Sequence, residues 1–278
     1  MKMVFSLFLC ALAVCLSFIP ASAAKADIEA YYALTKPVID GVVDEIWADV
    51  PAINADYGDE MREITGYGKF LWDENYLYVL VVVEDDTPNT ESIPSAESVD
   101  IFMDEMNTEN DGYTDIGEWG LTITRQGISY VTYVDGEFYS DREDLNANVE
   151  TAVVDNGKSY VIEAKIAFRS PNMEAAAGHT MGINCAFNND IDDDGIRDEF
   201  GSFTSAENPY WSDAGFLSKL VFSETAVSGA SPIEEAPADT VAETEAEVVV
   251  APSTADAGII PAVAVAIVAA GFVLKKKR

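Results

Sequence analysis

Apolar and polar positions alternate in short runs through the middle of the chain, a pattern typical of β-strands. The clearest run, residues 76–83, is entirely aromatic or aliphatic and ends at a turn-prone acidic segment. Further strands are predicted at residues 99–104, 120–124, 129–134, 159–166 and 181–187. The dipeptides Asp135-Gly136 and Asn156-Gly157 are typical of hairpin turns, and helical periodicity is limited to short pieces such as residues 44–49. The pattern predicts an all-β fold, an antiparallel, jelly-roll-like β-sandwich.

The two ends of the chain carry patterns of a different kind. Residues 1–24 combine a basic start, an apolar stretch and a small-residue cleavage pattern, which predicts a signal peptide. Residues 257–274 form an apolar run followed by the basic tail 275–278, which predicts a single transmembrane helix with a cytoplasmic tail. The acidic, proline-containing segment 223–256 is predicted to be a disordered stalk, which leaves residues 25–222 as one folded domain.

These ends predict where the protein resides. Residues 252–256, Pro-Ser-Thr-Ala-Asp, precede the apolar run and resemble a relaxed sortase sorting signal of Gram-positive bacteria. The anchor is therefore either a plain membrane helix or a cell-wall attachment. In both cases the folded domain is expected on the extracellular side of the cell membrane or in the cell wall.

Charge narrows the set of partners. The 278 residues include 49 acidic and 16 basic side chains, and the formal net charge is −33. Nucleic-acid binding requires clustered Lys and Arg, so this class is excluded, and docking on anionic lipid headgroups is disfavoured. Neutral molecules and cations remain as expected ligands.

Three apolar side chains are assigned to the core. Trp47 and Trp72 are flanked by apolar residues. Cys185 is the one cysteine outside the N-terminal apolar run, so it has no partner for an internal disulfide and is interpreted as a buried structural thiol.

An acidic loop at residues 190–198 predicts a calcium site. Carboxylates stand at positions 1, 3 and 5 of the loop, and Gly195 at position 6 permits the sharp turn that lets oxygen ligands converge. Position 12 is Gly201, so the loop lacks the bidentate glutamate of an EF-hand. The alternative is a solvated acidic turn. The predicted ligands are Asp190, Asp192, Asp194, the carbonyl of Ile196, and Asp198.

A second acidic cluster has similar chemistry but less regular spacing. It comprises Asp104, Asn107, Glu109 and Asp111, directly before Gly112. A calcium site and a structural acidic loop are equally compatible with this pattern.

Three motifs of the domain resemble family 9 carbohydrate-binding modules. They are Pro-Val-Ile-Asp-Gly-Val-Val-Asp-Glu-Ile-Trp at 37–47, Leu-Trp-Asp-Glu-Asn-Tyr-Leu-Tyr-Val at 71–79 and Glu-Ser-Val-Asp-Ile-Phe-Met-Asp at 97–104. The resemblance extends over residues 33–222. It implies an antiparallel β-sandwich with bound calcium that binds plant polysaccharide or oligosaccharide, such as xylan or cellulose, without hydrolysing it and so supports carbohydrate catabolism.

The resemblance also implies a sugar site. Trp211 matches one of two tryptophans that sandwich a sugar in the family, Asn208 matches a hydrogen-bonding asparagine, and Asp100 matches a ligand-binding glutamate. The other sandwiching tryptophan is missing from residues 94–97, and the family's arginine is missing near Gly120. Trp119 is therefore a candidate for a replacement surface.

Other classes of function remain as alternatives. No catalytic set is recognised, so the chain is not predicted to be an enzyme. A haem-binding electron-transfer domain of the related DOMON type would need axial ligands from Met103, Met106 and His179. A calcium-stiffened surface adhesin with a protein partner is the third possibility.

Overall fold

The computed structural model describes residues 28–59, 64–87, 94–133, 148–204 and 210–229. The chain divides into two compact units, Met1–Ile233 and Glu234–Arg278, and every described residue belongs to the first. The predicted signal peptide, apolar anchor and basic tail, most of the stalk and the Asp135-Gly136 turn lie outside the described residues. No helix among the described residues is long and apolar enough to cross a membrane.

The described residues form strands almost throughout, which confirms the all-β prediction. Two short 3-10 helices, Glu45–Asp49 and Ala214–Phe216, are the exceptions within this part of the chain. The strands are β1 Ile28–Ala33, β2 Ile53–Asn54, β3 Tyr57–Gly58, β4 Thr65–Trp72, β5 Tyr76–Glu84, β6 Ser98–Asp104, β7 Glu118–Thr124, β8 Ser129–Tyr133, β9 Val149–Asp155, β10 Tyr160–Ala167, β11 Thr180–Asn189, β12 Glu199–Ser202 and β13 Ser218–Val227.

The strands are joined in one continuous ladder. Its order is β8-β7-β6-β11-β13-β1-β4-β5-β10-β9, with β12 beside β11, β3 beside β12 and β2 beside β4. Residues of β4, β5 and β10 share one hydrophobic core with residues of β6, β7 and β11, so the two halves of the ladder pack as a sandwich. The prediction of a purely antiparallel sheet needs one correction, because β1 pairs in parallel with both β13 and β4. The first strand is inserted beside the last one, a topology that local sequence pattern does not encode.

Strand β5 is buried on both faces. Val79, Val81 and Val83 point into the core between the halves, whereas Tyr78 and Leu80 pack into a second cluster that covers the outside of this half. Burial on both faces explains why residues 76–83 read as a continuous apolar run instead of an alternating one.

Strand β13 moves the domain boundary. It continues to Val227, past the predicted boundary at residue 222, and pairs with β1 through Ala226 opposite Tyr32 and Val227 opposite Ala33. Glu224 and Thr225 are exposed in this strand. Because they are polar, the sequence pattern predicts this part of the chain as stalk and not as strand.

The three core assignments are confirmed. Trp47 is fully buried and Trp72 is 5 % exposed, and Trp72 stacks on Phe222 with ring centroids 4.9 Å apart. Cys185 is fully buried in β11, and burial raises the pKa of its thiol. The Asn156-Gly157 turn connects β9 to β10 as predicted, with Gly157 at a φ of 79°.

Candidate functional site

The candidate site lies on the face of β6, β7, β8 and β11 that points away from the core, here called the outer face. On these strands every second side chain enters the core, as Ile101, Leu121 and Cys185 do. The intervening side chains therefore point outward. The residues of the outer face that form the candidate site or flank it are Asp100, Thr122, Tyr130, Ala186 and Asn188.

Asp100 is at the centre of this face. Its carboxylate accepts hydrogen bonds from the Thr122 hydroxyl at 2.6 Å and from the Asn188 amide at 2.9 Å. Burial raises the pKa of Asp100, and these two hydrogen bonds and the charge of Arg197 oppose that rise. The carboxylate is thus held in one orientation by neighbouring strands.

Arg197 extends the polar strip beyond β11. Its Nη1 donates to Asn188 Oδ1 at 2.8 Å, and its guanidinium carbon lies 5.3 Å from the centre of the Phe200 ring. Because Asn188 donates to Asp100 and accepts from Arg197, the orientation of its amide is fixed. The Arg197 side chain is exposed, which leaves guanidinium donors at the surface.

Aromatic side chains border this strip. The Tyr210 ring packs edge-on against Phe102 at 5.3 Å and nearly parallel to Phe200 at 6.0 Å. The hydroxyl of Tyr113 donates to the Tyr210 carbonyl at 2.6 Å and so fixes the backbone there. Trp211 follows directly and is 47 % exposed. An exposed indole therefore follows directly on a tyrosine that belongs to the buried aromatic cluster at the border of the polar strip.

This combination suits a ligand with both apolar and hydroxylated surfaces. An indole face packs against C–H groups, while carboxylate, amide and guanidinium groups form hydrogen bonds with hydroxyls. Residues 39–224 match the family described as "Carbohydrate family 9 binding domain-like". The chain belongs to this family. The matched range includes every residue of the strip and its aromatic border.

Relatives of the family 9 domain are parts of much longer enzymes. The chain is 30% identical over 189 residues to Endo-1,4-beta-xylanase A of Thermotoga maritima, covering 66% of this chain and 17% of that protein. It is 28% identical over 192 residues to Exoglucanase XynX of Acetivibrio thermocellus, covering 66% of this chain and 16% of that protein. The chain thus spans less than a fifth of the length of these relatives.

Solved structures show the same fold. A carbohydrate-binding module of family 9 from Caldicellulosiruptor kristjanssonii in complex with cellotriose aligns with a TM-score of 0.61 and 22% identity, covering 75% of this chain and 98% of that chain. The complex of a family 9 module from that organism with glucose aligns with a TM-score of 0.60 and 22% identity, covering 70% and 95% of the two chains.

The structure corrects one predicted contact of the family 9 domain. Trp119 is fully buried, its Nε1 donates to Glu105 Oε1 at 3.2 Å, and the Arg169 guanidinium lies 5.0 Å from its ring centre. On β7 it shares the inward side of Leu121 and Ile123, which makes it a core residue with no face open to a sugar.

Two other predicted contacts have different outcomes. Burial and then the charge of Asp100 raise the pKa of Tyr210, so Asp100 lies near the residue that directly precedes Trp211. Asn208 lies outside the described residues. Arg125, a few residues beyond the position of the missing arginine, is 4 % exposed and bound to buried carboxylates rather than to the outer face.

Sequence reasoning missed Thr122, Asn188 and Arg197. Thr122 and Asn188 occupy outward positions of predicted or extended strands, so alternation along each strand could have identified them. Arg197 stands inside the predicted calcium loop, and nothing in the local sequence shows that its side chain reaches across to β11.

The acidic loop at residues 190–198 folds as a compact turn. Carboxylate oxygens of Asp190, Asp192 and Asp194 lie within 4.8 Å of one another. Asp190 accepts hydrogen bonds from the backbone N–H groups of Asp194 at 3.2 Å and Gly195 at 2.7 Å, and Gly195 has a φ of 84°. The charge of Asp194 raises the pKa of Asp192, ahead of burial and the neighbouring carboxylates.

The remaining predicted calcium ligands close the loop. Asp198 accepts a hydrogen bond from the backbone N–H of Ile191 at 2.9 Å, and Ile196 donates its N–H to Asp194 at 2.9 Å. The Ile196 side chain is 66 % exposed, and it is the backbone N–H of this residue that makes the contact within the loop. The three converging carboxylates offer oxygen atoms, the ligand type that calcium prefers, and the left-handed Gly195 permits the sharp turn that follows them.

The second acidic cluster is organised by its own hydrogen bonds. Asp104 is 1 % exposed and accepts the backbone N–H of Glu109 at 2.9 Å, while Glu118 accepts the N–H groups of Thr114 and Asp115 at 2.7 and 2.8 Å. These bonds order the loop. A calcium site and a structural acidic loop are both compatible with them, as they are with the sequence.

The side chains considered for haem ligation have other contacts. Met103 is 1 % exposed inside the main core. His179 Nε2 lies 2.7 Å from the carbonyl oxygen of Glu105, and its ring packs 5.3 Å from Phe222. Packing and a backbone hydrogen bond account for both residues, so the structure gives no support to the haem interpretation.

Proposed function

We propose that the outer face binds neutral carbohydrate, with Trp211 as the stacking platform and Asp100 and Arg197 as hydrogen-bonding partners, both held in place by the buried amide of Asn188. The observation that carries this proposal is an indole that is 47 % exposed and directly follows Tyr210, whose ring borders a fixed carboxylate–amide–guanidinium strip. An exposed indole loses contact with water when it stacks, and the fixed strip avoids much of the entropy cost of ordering polar groups.

The comparisons suggest the class of sugar. Family members with related sequences are segments of a xylanase and an exoglucanase, and family 9 modules of the same fold have been solved with cellotriose and glucose. We propose plant β-glucan or xylan, or oligosaccharides from them, as the ligand of this chain. The domain would bind them without hydrolysis and so support carbohydrate catabolism by other enzymes.

Calcium is part of the proposal. The residues at 190–198 fit the ion, because Asp190, Asp192 and Asp194 converge and Gly195 turns the chain directly after them. Asp198 and the carbonyl of Ile196 would complete the set. Bound calcium would supply positive charge that offsets the repulsion of the carboxylates and would stiffen the loop that carries Arg197.

The location is proposed from the sequence alone. Export by residues 1–24 and anchoring by residues 252–278 would place the domain on the outer surface of a Gram-positive cell, in the membrane or the wall. Because β13 ends at Val227, truncation after Gly229 keeps the strand and removes the anchor. The truncated protein is expected in the culture medium, and retention equal to that of the full chain would contradict the proposal.

Titration calorimetry with cello- and xylo-oligosaccharides tests the sugar proposal. A saturable heat with at least one of the two series is expected. Neither series binding at millimolar concentration, with and without calcium, would refute it.

A further inference from the structure

Tyr130 lies at the opposite end of the outer face from Trp211. In the sheet, Ala186, Asp100, Thr122 and Tyr130 stand directly opposite one another across β11, β6, β7 and β8. Neighbouring strands are about 4.7–4.9 Å apart, so this row extends about 14 Å from the backbone of β11 to that of β8. Trp211 follows Tyr210, which packs near Ala186 at the other end of the row.

The direction of the Tyr130 side chain is set by its neighbours. Val131 is 1 % exposed in the core, and the Ser129 hydroxyl lies 2.8 Å from that of Thr151 on β9, in the other half of the sandwich. Both neighbours therefore point inward, so Tyr130 points outward beside Thr122. It is half-buried there, which leaves part of its ring accessible.

The row thus has an aromatic side chain near each end. Between them lies the partly exposed carboxylate of Asp100, which the buried hydroxyl of Thr122 holds in place. A single pyranose ring covers only part of a strip three strand spacings wide. The net charge of −33 opposes binding of acidic polysaccharides, which leaves a neutral chain as the matching ligand.

We propose that Tyr130 is a second aromatic contact of the carbohydrate site, so that the outer face holds several consecutive units of a neutral polysaccharide chain laid across β11, β6, β7 and β8. This inference rests on the proposed function. It means that the domain binds internal units of a polysaccharide as well as its end. Tyr130, on β8, would then supply the aromatic contact that the family's tryptophan, missing here from residues 94–97, makes from another position.

Calorimetry on the full-length protein with glucose, cellobiose and cellohexaose, and with the xylose series, tests this proposal. The affinity is expected to rise with chain length. Tyr130→Ala should weaken hexasaccharide binding about tenfold, which corresponds to about 1.4 kcal/mol, and should change monosaccharide or disaccharide binding less than about twofold. Tyr130→Phe should bind as the wild type does, since stacking needs the ring and not the hydroxyl.

Ile128→Ala is the matched control. Ile128 is 45 % exposed in the same hairpin and does not lie in the row, so its loss should leave all affinities unchanged. Equal affinity for short and long oligosaccharides, with no effect of Tyr130→Ala, would overturn the inference. If Trp211→Ala still weakens binding in that case, the proposed function stands. Absence of binding to any oligosaccharide would overturn the proposed function and the inference together.

Discussion

Arg197 connects the acidic loop to the polar strip. Its guanidinium holds Asn188 Oδ1 at 2.8 Å, and through that contact it orients the amide that donates to Asp100. Removal of this exposed side chain would take a donor from the oxygen of the buried Asn188 amide, so it affects folding as well as binding.

Arg197→Ala is therefore expected to weaken oligosaccharide binding roughly three- to tenfold and to lower the free energy of unfolding by about 1–2 kcal/mol. Titration calorimetry and urea unfolding measure the two quantities. Lys158→Ala removes one exposed positive charge from the β9–β10 turn and serves as the charge-matched control. Equal losses of affinity in both variants would point to a general charge effect rather than to this contact.

Among single residues, sequence reasoning was most reliable where a side chain had a clear chemical environment. Trp211, in a polar loop, is exposed, and Trp47 and Trp72, between apolar residues, are buried. Trp119 was predicted as a sugar contact because it lies beside the position of the missing arginine, but the register of β7 directs its indole into the core. A shift of one residue in strand register moves every side chain of the strand to the opposite face of the sheet, and a single sequence does not determine the register.

At the scale of elements, the β4–β5 hairpin depends on Asp73. Its carboxylate is 2 % exposed and accepts the N–H groups of Asn75 and Tyr76 at 2.8 and 2.9 Å and the Tyr78 hydroxyl at 2.8 Å. Burial alone would raise the pKa of Asp73, but these hydrogen bonds and the ammonium of Lys36 at 3.1 Å outweigh burial and lower it.

A lowered carboxyl pKa adds stability above the pKa of the unfolded chain, about 4, and this stability is lost as the pH falls through the lower pKa of the folded state. Asp73→Asn should cost about 1–3 kcal/mol at pH 7 and should make the loss of stability between about pH 5 and pH 2 shallower. Denaturant unfolding at several pH values measures this. Asp86→Asn changes an exposed carboxylate and serves as the control, in which the free energy of unfolding should fall with pH as it does in the wild type. If Asp73→Asn also loses stability as steeply as the wild type, the account is contradicted.

The acidic loop is the second element with a testable role. If Asp190, Asp192 and Asp194 hold calcium, millimolar free calcium should raise the melting temperature, because a ligand that binds the folded state stabilises it. A site with a dissociation constant a hundredfold below the free calcium concentration adds about 2.7 kcal/mol.

Asp192→Asn combined with Asp194→Asn should remove this rise and should also weaken sugar binding, since the same loop places Arg197. Glu29→Gln combined with Glu224→Gln removes the same charge from exposed positions on β1 and β13 and should keep the rise. Identical melting curves with chelator and with calcium in the wild type would refute the calcium proposal.

Strands with strong apolar runs were predictable, and strands defined by their partners were not. Strands β5, β6, β7, β10 and β11 fall on predicted runs because their core-facing residues are large and regularly placed. Strands β1 and β13 pair in parallel although they lie at opposite ends of the domain's sequence. The short strands β2, β3 and β12 depend on pairing with their neighbours, because they are too short to show a pattern of their own.

At the scale of the whole molecule, Arg125 joins the two halves of the sandwich. The guanidinium, on the turn after β7, binds Asp85 at 2.7 Å after β5 and Asp155 at 2.8 Å on β9, and lies 3.5 Å from Glu97 before β6. Asp85 and Glu97 are buried. Burial and the charge of Asp85 raise the pKa of Glu97 to about 8, while the backbone N–H of Asp190 and the charge of Arg125 oppose this rise.

Removing one partner of a buried ion pair leaves an uncompensated charge, which typically costs 3–5 kcal/mol. Arg125→Met should therefore lower the free energy of unfolding by about this amount in denaturant titrations. Lys165→Met breaks the surface pair with Glu150, which is 3.0 Å long and part-exposed, and should cost less than about 1 kcal/mol. Similar small costs for both variants would show that Arg125 does not hold the halves together.

The central claim is that Trp211 forms the sugar-binding platform of the outer face. Titration calorimetry of wild type and Trp211→Ala with the oligosaccharide that binds the wild type best tests it most directly. Loss of one stacked ring should weaken binding roughly ten- to a hundredfold on an intact fold, and Trp211→Tyr should retain most of the affinity. Unchanged affinity of a folded Trp211→Ala protein would contradict the account and would place the site elsewhere on the domain.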